Sequence, residues 1–241
     1  MAETNQFGQQ VGDLLTDRNP SKAPEPVTLE GRYVEVRPLT SAQYSDLYEA
    51  TCHRDAAHLW TYRPVASGRP TSLPELWMHL AAINDSPDLV GFALVPKEGP
   101  RAGRACGVAI YAQVVPEHAR LEIAGVLFGD GLGRTRAATE SLHLLMQHAF
   151  DELGYRRVEW KCDSLNEASR RAAQRLGFVA EGRFRRHMVS NGRNRDTDWF
   201  SIIDEEWPAL RAAHQRWLDP ANFDATGRQH TPIRQFWSAE S

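Results

Sequence analysis

The chain has 241 residues, of which 41% are hydrophobic, and a formal net charge of −3. That apolar share suffices for a substantial core and excludes wholesale disorder. The mild acidity supplies no global field for nucleic acid or an anionic membrane, and no apolar run approaches the ~20 residues that span a bilayer. The amino end, Met1 to Gln10, lacks a secretion signal's charged-then-apolar pattern, and Cys52, Cys106 and Cys162 stand far apart with no CxxC pair. Reduced thiols in a soluble cytoplasmic protein are expected.

Residues 1–26 are polar and read as a tail or wrapping arm, 27–218 as one domain and 219–241 as an extension without a firm period. Tyr33 to Arg37 alternates like a strand and Pro38 stops it. Thr40 or Ser41 then caps a helix running to about Cys52. A second helix is predicted over Leu73–Ile83, with Pro74 in its first turn. Val90–Val95, Arg104–Val115 and Arg120–Phe128 read as three successive strands, hence an antiparallel meander. Arg134 to Leu153 carries Ala138, Leu142, Leu145, Ala149 and Leu153 at helical spacing, and Gly154 ends it. A strand over Arg156–Cys162, a helix over Asn166–Leu176, a strand from Phe178 and a return strand over Thr197–Ile203 follow. Asn191-Gly192 is the hairpin signal between the last two, and a final helix starts near Pro208. The order is β-α-α-βββ-α-β-α-ββ-α, which requires a mixed sheet.

Two segments carry chemistry. Glu122 to Phe128 runs into Gly129-Asp-Gly-Leu-Gly133, which opens the long helix at Arg134-Thr135-Arg136. Such a turn leaves the first helical N–H groups free at the positive end of the helix dipole, a ready site for a pyrophosphate. Arg134 and Arg136 could add charge-assisted contacts, and Thr135 or Thr139 a hydroxyl. The second segment is Asn166-Glu-Ala-Ser169 to Leu176-Gly177-Phe178. There Ser169 and Ala172-Ala173 sit on adjacent turns, small enough for a ligand chain to lie against the helix. Taken singly, each segment also reads as an ordinary capped helix.

Together they resemble the GCN5-related N-acetyltransferases (GNAT), most closely the ribosomal-protein N-terminal (RimJ/RimL-like) branch. Ala138-Thr139-Glu140, Asn166-x-x-Ser169, Leu176-Gly177-Phe178, Glu181-Gly182, and Asn191-Gly192 followed by Arg195-Asp196 carry the resemblance. It is close over 122–203 and looser from Tyr33 to about Leu210. It implies an α+β single domain, a central twisted, mixed, mostly antiparallel sheet flanked by helices. It also implies an enzyme of the acyl-CoA-dependent N-acyltransferase class, using acetyl-CoA as cosubstrate and no metal. The implied cofactor contacts are Val126, Leu127, Phe128, Gly133, Arg134, Thr135, Arg136, Ala137, Ala138, Thr139, Asn166, Ser169, Ala172 and Arg175. Aligned through Ala138-Thr139-Glu140, the chain departs from the family's loop by carrying Arg136 where a central glycine is expected.

The resemblance further implies direct attack of an amine on the acetyl thioester with both substrates bound. Ser169 matches the family's candidate acid, a backbone N–H of Val126–Phe128 would stabilise the oxyanion, and Glu122 matches an acidic residue relatives place before the cofactor turn. Met188 stands where some relatives carry a glutamate, leaving neighbouring His187 as a weak substitute. Arg183, Arg185, Arg186, His187, Arg193 and Arg195 crowd the hairpin. They point either to an amine acceptor bearing an acidic group or to a solvated face balanced by Asp196 and Asp198. Trp60, Tyr62 and Trp77 lie where relatives build the acceptor site, although aromatics are more often core. The histidine and cysteine spacings match no metal site. A homodimer, transfer of a larger acyl group such as succinyl, and a non-catalytic acyl-CoA sensor are further readings of the same motifs.

Overall fold

The computed structural model describes residues 3–15, 21–63 and 68–237. A small exposed hairpin, β1 (Glu3–Thr4) and β2 (Gln10–Val11), precedes the domain. Then come β3 (Leu29–Glu30), β4 (Val34–Pro38), α1 (Tyr44–Thr51), α2 (Leu73–Asn84), β5 (Val90–Pro96), β6 (Gly107–Val115) and β7 (Arg120–Phe128). The second half holds α3 (Arg136–Gln147), β8 (Arg157–Asp163), α4 (Glu167–Arg175), β9 (Val179–Ser190), β10 (Arg193–Ile203) and α5 (Trp207–Leu218). The large sheet has eight strands in the order β3-β4-β5-β6-β7-β8-β10-β9, and only β7–β8 is parallel.

Central strands are buried on both faces, and their alternate residues feed two cores. Phe92, Leu94, Ala109 and Tyr111 pack on one side with Leu142, Leu145 and Met146 of α3 and Trp217 of α5. Ala93, Val95, Val108 and Ile110 pack on the other side with Leu47 of α1 and Leu76 and Leu80 of α2. The hairpin turn forms as expected, with Asn191 and Gly192 at φ 50° and 72°, the left-handed pair that matches strand twist.

Several features differ from the sequence pattern, among them β6 starting at Gly107 rather than Arg104 and β10 at Arg193 rather than Thr197. The long helix starts at Arg136, because Arg134 is left-handed at φ 66° and Thr135 is the cap, its hydroxyl accepting from the Ala138 amide at 3.1 Å. Beyond Gln147 it relaxes into one π-helical turn, His148–Glu152. The carboxyl segment closes on the core: Phe223 and Ile233 are buried in it, and Phe223 meets the Trp217 ring edge-on at 5.0 Å. The amino arm docks as well, since the Ser21 hydroxyl donates to the Gly154 carbonyl at 2.8 Å.

Glu140 explains how β4 is fastened to α3. Its buried carboxylate accepts the amides of Arg32, Tyr33 and Val34 at 2.9, 2.6 and 3.0 Å. A Cβ at Gly31 would stand 2.5 Å from the same carboxylate, so the turn and the glutamate require each other. Burial raises the Glu140 carboxyl, and the three amides oppose it.

Candidate functional site

The parallel pair β7–β8 is joined only at Arg120↔Arg157, Leu121↔Val158 and Glu122↔Glu159. Past Glu122 the strands part, while β7 stays paired to β6 as far as Phe128. The cause is local. Ile110 pairs with Ala124 but Val108 pairs with Leu127, so β7 bulges between them, with Gly125 at φ 58°. A Cβ at Gly125 would lie 2.4 Å from Ile110 Cδ1, which leaves glycine as the residue that fits. The result is a V-shaped gap whose β7 edge, Val126 to Phe128, has no strand partner on the β8 side.

The turn after β7 is bolted down at its start and open at its end. The Gly129 amide donates to Cys106 O at 2.8 Å and the Asp130 amide to Ala50 O at 3.0 Å. Leu132 is fully buried, and the Thr135 hydroxyl donates to its carbonyl at 2.7 Å. Among the described residues, the amides of Gly133, Arg134, Arg136 and Ala137 have no hydrogen-bond acceptor. These donors lie at the positive end of α3, an arrangement that suits a pyrophosphate. Arg134 holds a left-handed backbone without being glycine, strain of about 1–2 kcal/mol.

Glu122 sits at the apex of the gap, 2% exposed, with its carboxylate 2.8 Å from Lys161 Nζ. Burial pushes its pKa above the usual carboxylate range and Lys161 opposes the rise. Ser169 lies across the sheet, on the first turns of α4. Asn166 caps that helix, accepting the Ser169 amide at 3.1 Å. The Ser169 hydroxyl accepts from Trp160 Nε1 at 3.0 Å and contacts the buried Cys162 thiol.

On the Glu122 face, the segment before α2 reaches across the gap. The Tyr62 hydroxyl donates to Leu165 O at 3.0 Å, and Asn191 Nδ2 donates to Arg63 O at 3.2 Å. Arg63 itself donates to the bulge carbonyls Gly125 O at 3.0 Å and Val126 O at 3.5 Å. Burial lowers its pKa to about 10. Burial, with Arg63 nearby, also lowers His79 to about 4, so that imidazole is neutral. From β10, Trp199 stands opposite Lys161, whose Nζ lies 5.1 Å from the ring. Arg195 shares that face and is near enough to Glu122 to lower its pKa.

The acetyltransferase (GNAT) domain family matches residues 34–179. The chain belongs to this family. GNAT proteins are acyl-CoA-dependent N-acyltransferases, and the splayed parallel pair is where the resemblance places the acyl-CoA. A solved GCN5-related N-acetyltransferase from Brucella melitensis is 40% identical, covers 93% of this chain and 100% of its own, and superposes with a TM-score of 0.88. YdaF of Bacillus subtilis (strain 168), whose name proposes a ribosomal N-acetyltransferase, is 35% identical over 69 residues, 29% of this chain. The match spans only 38% of YdaF's length. Mycobacterium smegmatis RimJ, solved with CoA-disulfide, is 20% identical with a TM-score of 0.67 over 79% of this chain and 94% of its own, a likeness of fold alone.

Within this GNAT frame, Val126, Leu127 and Phe128 form the free strand edge. Gly133, Arg134, Thr135, Arg136, Ala137 and Ala138 form the turn and helix start, as the motif implies. Two arginines are placed otherwise than expected. The Arg136 guanidinium binds Glu98 at 2.6 and 2.7 Å and stacks 4.3 Å over Tyr33, leaving only its amide toward the turn. Arg175 donates to the Thr139 hydroxyl at 3.0 Å and lies 4.7 Å over Trp217, so both Arg175 and Thr139 serve the interior. Gly133 is not left-handed, and a Cβ there would meet only Phe128 at 3.9 Å; Arg134 occupies the demanding position instead. Ala172 remains half-buried on α4, beside Ser169.

Trp60 belongs to the core, donating to Thr51 O at 2.7 Å, while Trp77 is half exposed on α2. In the hairpin cluster, Arg183 pairs with Asp198 at 2.6 and 3.0 Å, which is the solvated-face reading. Sequence reading missed Arg63, His79, Lys161 and Trp199. Nothing in their spacing announces a site, because four separate elements bring them together. Among the described residues no three His, Cys, Asp or Glu side chains are grouped to hold a metal. No described helix is long and apolar enough to cross a membrane.

Proposed function

We propose that this chain transfers the acetyl group of acetyl-CoA to a primary amine, preferentially an α-amino group, with both substrates bound. The observation that carries this reading is the four acceptor-free amides of Gly133, Arg134, Arg136 and Ala137, set at the head of a helix beside an unpaired strand edge. Bound acetyl-CoA supplies an acetyl thioester. The free amides hold its pyrophosphate, and the Val126–Phe128 edge holds the pantetheine arm and meets the negative charge developing on the thioester oxygen.

Glu122 takes the proton of the attacking amine, directly or through one water. Burial raises its pKa, which favours proton acceptance, and the Lys161 ammonium 2.8 Å away opposes that rise. Ser169 is the proton donor toward the sulfur; its oxygen already accepts from Trp160, which leaves the hydroxyl proton to donate. The preference for an α-amine follows from deprotonation cost. Neutralising an amine of pKa ~10.4 near pH 7.4 costs about 4 kcal/mol, whereas one of pKa ~7.8 costs under about 1 kcal/mol.

The test is free-thiol release from acetyl-CoA with a panel of α-amines, ε-amines, polyamines and aminoglycosides. Turnover of α-amines that is lost in Glu122→Gln supports the reading. Tight CoA binding without thiol release from acetyl- or succinyl-CoA would replace it with a sensor role, and release from succinyl-CoA alone would change the donor.

A further inference from the structure

On the face of the sheet where Glu122 points, hydrogen-bond donors outnumber acceptors. Arg63 Nε, Arg195 Nε and Trp199 Nε1 are buried atoms with no hydrogen-bond partner. An unpartnered buried donor costs about 1–3 kcal/mol, so three around one cleft are a sizeable unmet demand. The local carboxylates among the described residues form no ion pair with either arginine, including Asp163 on the same face of β8, whose Oδ1 accepts the Leu165 amide at 2.9 Å. Glu122 Oε2 is ion-paired with Lys161 Nζ at 2.8 Å although it makes no hydrogen bond of its own, and Glu159 is held by Arg157 at 2.8 Å and Arg120 at 3.6 Å. Asp198 points to the opposite face, where Arg170 holds it at 2.9 Å and Arg183 at 2.6 Å. Asp196 accepts the Arg186 amide at 2.8 Å and Asn194 Nδ2 at 3.0 Å. Among the described residues, no carboxylate forms an ion pair with Arg63 or Arg195.

Both guanidiniums lie on the sheet face that carries the residue proposed to take the amine's proton. Arg63 sits on the carbonyls of Gly125 and Val126, just up β7 from Glu122. Arg195 approaches Glu122 from β10. A planar fork with an unused Nε–H suits a carboxylate held side-on, and desolvation strengthens such a charge-assisted bond. Trp199, on the same face of β10 as Arg195, offers an indole N–H and an apolar ring beside Lys161.

We propose that the acceptor carries a carboxylate close to its reacting amine, and that Arg63 and Arg195 are the specificity residues that bind it, with Trp199 Nε1 as a third donor. This deepens the acetyl-transfer reading above and rests on it for the role of the cleft. The carboxylate has two chemical sources: the α-carboxylate of a free amino acid, or an acidic side chain next to the α-amine of a peptide. Either places a negative group a few bonds from the nitrogen that Glu122 serves.

The experiment uses matched acceptors with the full chain: phenylalanine against phenylalaninamide, and Asp-Phe-amide against Asn-Phe-amide. Thiol release gives kcat/KM, and calorimetry gives the binding of each acceptor to the CoA-loaded protein. We expect the acid of at least one pair to be favoured by 10-fold or more in both measurements. The ratio should fall toward one in Arg195→Gln and Arg63→Gln, fall partway in Arg195→Lys, and stay unchanged in Arg193→Gln on the exposed hairpin. Retained CoA binding shows that a variant has folded. Which pair responds identifies the source of the carboxylate. Acid and amide bound equally in both pairs would overturn the inference and leave acetyl transfer standing. A wild-type preference that persists in both glutamine variants would overturn the assignment of these arginines. Acid-selective binding without thiol release would support the carboxylate site and sink the acetyl-transfer reading.

Discussion

Two regions of this molecule bury charge and treat it oppositely. At the junction of β4 and α3, the Glu140 carboxylate accepts three backbone amides and Gly31 is shaped around it. On the sheet face that carries Glu122, buried donors of Arg63, Arg195 and Trp199 have no acceptor among the described residues. Both contain groups that are expensive to desolvate. The first is complete within the chain and therefore structural. The second has donors without acceptors among the described residues, and by the proposal above an acceptor's carboxylate completes it.

The contrast can be broken at either region. Glu122→Gln removes the proposed proton acceptor and should lower kcat about 100- to 10,000-fold with little change in the unfolding midpoint; initial rates beside thermal melts would check it. Glu140→Ala should do the reverse, losing about 3–5 kcal/mol of stability by orphaning three amides, read as a lower urea midpoint. If Glu140→Ala left stability intact, the completeness argument would fail.

Acid should weaken the fold through its buried histidines. Burial lowers His143 to about 4 and His214 to about 3, against about 6.5 in the unfolded chain. These groups stay neutral when folded, so their contribution is full above pH ~6.5 and is lost as pH falls toward 4. A gap of one pH unit between folded and unfolded pKa is worth about 1.4 kcal/mol, so several kcal/mol disappear across that window. A urea midpoint flat between pH 7 and 4 would contradict this. Smaller effects sharpen the cofactor end. Ser169→Ala should slow turnover about 10-fold by removing a helpful rather than indispensable proton. Arg134→Gly should relieve left-handed strain, altering stability by about 1 kcal/mol or less once unfolded-state entropy offsets the gain, with CoA affinity nearly constant by calorimetry.

Much of the architecture was legible from residues alone. Alternation in Tyr33–Arg37, the Asn191-Gly192 turn and the helical spacing of Ala138, Leu142 and Leu145 are local signals, and each element formed where its signal lay. Boundaries were less legible where tertiary demands prevailed, as at Arg134, which is left-handed in the short span between buried Leu132 and the cap Thr135. The turn's unpaired donors were also readable, since free amides at a helix start follow from backbone geometry and need no particular side chain.

What the sequence determined by itself was therefore the order of elements, the mixed sheet, the glycine-rich turn with its acceptor-free helix start, and the family motifs around Asn166, Ser169 and Leu176-Gly177-Phe178. Only the tertiary structure decided that Arg136 serves Glu98, that Arg175 serves Thr139 and Trp217, and that Arg63 and Arg195 share a sheet face with Glu122 without carboxylate partners among the described residues. The physical reason is range. Backbone conformation and amphipathic period are set by neighbours within a few residues, whereas the partner of a charged side chain is chosen by whatever the sheet brings beside it. Arg63 and the Gly125 carbonyl it binds are separated by 62 positions in the chain, yet lie 3.0 Å apart in the fold.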